Sequence, residues 1–206
     1  MKSELPFKAA AFSAALLTAF IFTAARAGGQ NVSIDKKTAY LVIDIQNDYF
    51  TGGKLPMFDS GKAAVKAKSV LDFFRYKKLA VIHIRHENSG DKATFFIPGT
   101  EGAEIHSSVK PLVNEPVLLK RKPSSFIGTA LEEELKKKGI THIVISGMQS
   151  NVCVKSTTLE ALTKNYKVTV LEDSIAAKDM ETHNKAVAEM REKGAFITGS
   201  DAIVKK

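Results

Sequence analysis

The sequence predicts a single α/β domain of three layers, α/β/α, built on a mostly parallel six-stranded sheet. Two observations carry this expectation. Apolar, β-rich runs alternate along the chain with segments of helical spacing, the pattern of strand-helix-strand units. Several of the runs are continuously apolar, as in strands covered on both faces by helices. No internal repeat, low-complexity stretch or linker divides the chain further.

The elements follow in order. "TAYLVIDI" (38–45) reads as the first buried strand, and "GKAAVKAKSVLDFFRYKK" (61–78) places Ala64, Val65, Ala67, Val70, Leu71 and Phe74 near helical spacing. "LAVIHIRH" (79–86) is the second strand. A long irregular segment, 87–115, leads to the short strand "PVLLK" (116–120). "GTALEEELKKKG" (128–139) carries acids early and lysines late, which suits a helix dipole, and Gly139 can end it. "THIVISGM" (141–148) is a buried strand and "NVCVKSTTLEALTKN" (151–165) the helix after it. "KVTVLED" (167–173), "ETHNKAVAEMREKG" (181–194) and "AFITGSD" (195–201) complete the series as strand, helix and strand. The plan is Rossmann-like, and in such sheets ligands bind beyond the C-terminal ends of the strands.

The first 27 residues stand apart. Lys2 and Lys8 precede an apolar run, Ala9 to Thr23, and Ala25-Arg26-Ala27 ends in a small-x-small pattern. This reads as a cleaved secretory signal, with a retained N-terminal anchor as the alternative. The run is shorter than the roughly 20 residues a membrane-spanning helix needs. Residues 28–206 are then the domain, exported to a periplasmic or extracellular space, with no stable membrane insertion after cleavage. The formal charge is +8; removing three cations and one anion with the signal leaves +6. The lysines are scattered among acids, as in Glu132-Glu133-Glu134 before Lys136-Lys137-Lys138, so no nucleic-acid partner is expected. The chain has one cysteine, Cys153, which excludes an intramolecular disulfide.

Three reactive groups fall at predicted strand ends. Asp44 lies at the end of the first strand, Lys120 closes "PVLLK", and Cys153 sits in the first turn of the helix after "THIVISGM". A thiol at a helix N-terminus with a lysine nearby is expected to have a lowered pKa, while a carboxylate there can accept its proton. A lone cysteine is equally a small buried apolar residue, and an aspartate at a strand end commonly caps a loop. The residues by themselves leave both readings open.

The motifs resemble those of the isochorismatase-like cysteine hydrolases, the superfamily of nicotinamidases, carbamoylsarcosine amidases and related amide hydrolases. "LVIDIQNDYF" resembles the family's first-strand motif and places the catalytic aspartate at Asp44. "VLLKRKPSSFIGTAL" resembles the second, with its lysine six residues before a phenylalanine; that spacing selects Lys120, before Phe126. "VISGMQSNVCVKSTTLEAL" resembles the third, whose nucleophile falls on Cys153. The similarity runs from about Lys37 to Asp201. It implies attack of the sulfur on a carbonyl carbon, with a thioester intermediate. It also implies an oxyanion hole from the backbone N–H groups of Gln149 and Cys153, and a cis peptide between Met148 and Gln149. A small-molecule substrate and a homo-oligomer are further implications.

The departures concern substrate. Nicotinamidases of this superfamily carry a metal site just past the first motif, and "TGGKLPMFDSGKAA" has Asp59 but no histidine, so no metal and no cofactor are expected. Gln46, Phe50, His86 and Phe126 are the candidates for the substrate pocket; Phe95 and Phe96, in the long irregular segment, could roof it. A hydrolase of a non-amide substrate, a non-catalytic binding protein on the same fold and a redox-active thiol protein are the rival readings, the last weakened by the lack of a resolving cysteine.

Overall fold

The structure, a computed structural model, describes Met1 and residues 32–205. The secretory signal expected over 1–27 therefore lies, Met1 apart, outside the described residues. Six strands form one sheet: β1 (Thr38–Ile43), β2 (Ala80–His86), β3 (Val117–Lys120), β4 (His142–Met148), β5 (Lys167–Ala176) and β6 (Phe196–Thr198). Their order is β3-β2-β1-β4-β5-β6 and every neighbouring pair is parallel. Among the described residues five α-helices accompany them: α1 (Ser60–Tyr76), α2 (Leu131–Lys137), α3 (Lys155–Thr163), α4 (Met180–Glu192) and α5 (Asp201–Val204). Among the described residues, no helix is long and apolar enough to cross a membrane.

The two-residue side-chain period of a strand divides the core. Ala39, Leu41 and Ile43 of β1, with Ile143 and Ile145 of β4, pack on Leu131 and Leu135 of α2, Ala161 of α3 and Met190 of α4. Tyr40 and Val42 point the other way, with Val144, onto Ala64, Ala67, Leu71 and Phe74 of α1 and Ile203 of α5. All six residues of β1 are buried, as its unbroken apolar run requires.

Three strands end elsewhere than the sequence reading places them. β1 stops at Ile43 because Asp44 turns into the left-handed region at φ 51°, where its N–H still reaches Ile84 O at 3.0 Å. β5 is longer than 167–173 and extends to Ala176, its register against β4 shifting between Ile145 and Gly147. The last strand ends at Thr198: Asp173 accepts hydrogen bonds from Ser200 N at 2.8 Å and Ser200 Oγ at 2.7 Å, and the chain turns into α5 instead.

The helix expected over 151–165 has two parts. Ser150–Val154 form a π-type turn, and the regular α-helix begins only at Lys155. Gln149 O accepts from both Val152 N and Val154 N at 3.1 Å, widening the turn that carries Cys153. Such wide turns recur at functional sites.

Candidate active site

Asp44, Lys120 and Cys153 are brought together and buried at the C-terminal edge of the sheet. β3 lies two strands from β1, with β2 between, so the backbones of Lys120 and Asp44 are about 10 Å apart. The lysine's length closes that gap. Its Nζ lies 2.7 Å from Asp44 Oδ2 as an ion pair and donates to Cys153 Sγ at 3.2 Å. It also meets His86 Nδ1 at 2.6 Å and Lys122 O at 3.1 Å. The Met148–Gln149 peptide, just before the cysteine turn, is cis.

The electrostatics of the thiol differ in sign from the sequence expectation. Burial pushes the Cys153 thiol up to about 12, and the adjacent Asp44 carboxylate adds to the rise; Lys120 only partly offsets the two. The turn geometry and lysine that favour thiolate are present, but a nearly dry site with a facing carboxylate outweighs them. Burial and the facing carboxylate thus favour the protonated thiol at rest. Neither Asp44 oxygen makes a well-aligned hydrogen bond among the described residues, which leaves the carboxylate acceptor capacity toward that thiol. For Lys120, burial alone would lower the ammonium, yet the Asp44 carboxylate, with the hydrogen bond to Cys153 Sγ adding to it, raises it above its ordinary value, so it stays charged.

The donor atoms of Asp44, His86 and Cys153 lie within 4.8 Å of one another, close enough in principle to share a metal ion. The Lys120 ammonium sits among all three and supplies positive charge at that point.

A cavity of about 260 Å³ opens over the sulfur, lined by Tyr49, His86, Phe95, Arg121, Val152 and Gln149 among others. This is room for a small molecule with few heavy atoms. Of the four sequence candidates for the pocket, His86 lines it. Gln46 is instead a buried clamp: Oε1 accepts from His86 N at 2.8 Å, while Nε2 donates to His86 O at 2.8 Å and Ala103 O at 2.7 Å. Phe50 stacks on His106, with ring centroids 3.7 Å apart, away from the sulfur. Phe126 is packed in the core beneath, against Tyr166. Phe95 takes a place in the cavity wall, and Phe96 lies fully buried behind it.

Tyr49, Asn88, Arg121 and Val152 were not singled out from the sequence. Tyr49 lies inside the first motif and Arg121 beside Lys120, so proximity to a motif was the available signal. Asn88 carried none. The phenol of Tyr49 is kept protonated, first by burial and then by the negative charge of Asp44 nearby. His83, by contrast, stays out of the cavity, paired through Nε2 with Glu115 at 2.9 Å.

Comparison with known proteins gives the family and the fold. A family profile described as Isochorismatase domain matches residues 38–202. An uncharacterised isochorismatase family protein, YddQ of Bacillus subtilis, is 39% identical over 166 residues, covering 81% of this chain and 92% of its own. Among solved structures, a putative isochorismatase hydrolase from Oleispira antarctica superposes with a TM-score of 0.79 at 32% identity, covering 84% of this chain and 99% of that one. N-carbamoylsarcosine amidase from Thermoplasma acidophilum gives 0.73 at 29% identity, covering 80% and 97%.

Proposed function

Because this chain belongs to the isochorismatase family of hydrolases, its match running over residues 38–202, we propose that it hydrolyses a small amide or related C–N bond through a Cys153 thioester. The observation that carries this reading is the buried Asp44–Lys120 ion pair set against Cys153 at the base of a small cavity. One solved relative is itself an amidase.

Asp44 takes the Cys153 proton as the sulfur attacks the carbonyl carbon, so the thiolate is formed in the act of reaction and not held at rest. The backbone N–H groups of Gln149 and Cys153 receive the developing oxyanion. Collapse of the tetrahedral adduct breaks the C–N bond; Asp44 returns the proton to the departing ammonia or amine. Water then attacks the thioester with Asp44 again as base, releasing the acid and restoring the thiol. Lys120 keeps its charge throughout and steadies both the carboxylate and the sulfur.

The test is a panel of small amides assayed for ammonia or amine release, with Cys153→Ser as control. Turnover is expected in the wild type and absent in the variant, whose thermal unfolding stays unchanged. A panel with no Cys153-dependent turnover would overturn the reading.

A further inference from the structure

Lys120 has more acceptors than hydrogens. An ammonium carries three N–H donors, and four acceptors lie within reach: Asp44 Oδ2, His86 Nδ1, Lys122 O and Cys153 Sγ. The shortest of these contacts, 2.6 Å, is to the histidine. That contact is a hydrogen bond only if Nδ1 carries a lone pair, and the surroundings fix this. Asn88 Nδ2 donates to Phe95 O at 3.2 Å, which turns Asn88 Oδ1 toward the imidazole. Oδ1 can only accept, so His86 Nε2, 2.9 Å away, must be the protonated nitrogen. Nδ1 is then the acceptor facing Lys120.

We propose that His86 is a positioning residue for the catalytic lysine: a neutral, Nε2-protonated imidazole, oriented by Asn88, that holds the Lys120 ammonium against Asp44 and Cys153. The placement follows from the sheet. His86 and Lys120 are register partners at the ends of β2 and β3, so the lysine must pass His86 to reach β1 and β4. Gln46 holds the His86 backbone by both its polar groups, and Asn88 holds the ring through Nε2. Burial and the neighbouring lysine both keep the imidazole uncharged. The same chain of contacts reaches the cavity roof: Asn88 N donates to Phe96 O at 3.0 Å, and Phe96 N donates to Asp48 Oδ2 at 2.6 Å. Movement of the Phe95–Phe96 segment would therefore be felt at Lys120 through two side chains.

This inference rests on the proposed thiol chemistry, but its test needs no substrate. The rate of Cys153 alkylation by iodoacetamide at a fixed, mildly alkaline pH reports the thiolate fraction. With the lysine unanchored in His86→Phe, the sulfur loses its cation and alkylation is expected to slow about ten-fold, within the range of one hydrogen bond to a charged group. His86→Gln, whose Oε1 can accept from Lys120, should return the rate to within about three-fold of wild type. An unchanged or faster rate in a folded His86→Phe overturns the proposal. A second measurement needs no variant to fold well. The 15N NMR spectrum of the wild-type full chain should show the His86 ring protonated at Nε2 and bare at Nδ1 near neutral pH; the opposite tautomer or an imidazolium overturns it. Failure of the amide panel leaves these outcomes standing, so the two readings fail separately.

Discussion

Asp44 and Lys120 act on the Cys153 thiol in opposite directions, and that makes their variants distinguishable. The Asp44 carboxylate raises the thiol, so Asp44→Asn should let Cys153 ionise more easily and react faster with iodoacetamide at a given pH. Turnover should nevertheless be lost, because the proton acceptor is gone; general-base contributions are typically 10²–10⁴-fold, so a fall of about that size is expected. An Asp44→Asn protein that alkylates more slowly than wild type would contradict the electrostatic account. Lys120→Met removes the offsetting cation, so alkylation should slow instead. It also strands a buried carboxylate, and breaking a buried pair typically costs about 3–5 kcal/mol, measurable as a lowered urea midpoint. Aspartate, lysine and cysteine could each be picked out by motif, but the net sign of their coupling could not. Helix position argues for thiolate; it is burial, set by residues from β1, β3 and the roof segment, that reverses the answer.

At the level of elements, the approach of β1 to β4 sets where Asp44 and the cysteine turn begin. Gly147 sits opposite Ile43 in that pair at φ 147°. A Cβ there would fall 2.1 Å from Ile43 O, a backbone atom that cannot rotate aside. Gly147→Ala should therefore force β1 and β4 apart one residue before Asp44. We expect a loss of stability of at least about 1–3 kcal/mol by denaturant titration, together with reduced turnover. A variant of wild-type stability would mean that the strands can separate freely there. The strand itself was legible from "THIVISGM", because a continuous apolar run suffices to mark a doubly covered strand. The π-type turn after it was not. Its first residues have ordinary helical character, and only the packing of Gln149 O against two N–H groups shows the widened ring. The pocket candidates divide the same way. Gln46 and Phe50 stand near Asp44 in sequence, yet 3₁₀ geometry over Asn47–Tyr49 sends Tyr49 to the cavity and Phe50 to His106.

Across the whole molecule, a second, partly buried charge cluster fastens a helix layer to the sheet edge away from the site. Arg75 of α1 holds Glu115 with two hydrogen bonds of 2.7 Å, and His83 of β2 meets the same carboxylate at 2.9 Å. Burial alone would raise the Glu115 carboxyl, but the Arg75 guanidinium, Leu112 N–H and His83 outweigh it and hold it down at about 2. A carboxylate lowered in the folded state stabilises the protein fully above its unfolded value of about 4.3. That stability is lost as pH falls from there through about 2. Solvent screening at this partly exposed pair holds the effect to roughly 1 kcal/mol. Glu115→Gln should be less stable at neutral pH by up to that amount and should lose stability less steeply below about pH 4; thermal melts across the pH range measure both. Parallel acid-limb slopes in variant and wild type would dissociate Glu115 from acid unfolding.

The amino-acid sequence by itself determined the alternation of strands and helices, the parallel sheet and the three reactive residues at its C-terminal edge. These follow from local information: apolar period, strand length and short motifs that survive without knowledge of the partner elements. Tertiary structure decided what those residues are surrounded by. The thiol's protonation, the clamp role of Gln46, the cavity lining of Tyr49 and Arg121, and the acceptor that His86 turns toward Lys120 all depend on groups brought together across the sheet. Charge and desolvation act through space over a few ångströms, and separation along the chain says nothing about which groups will lie that close.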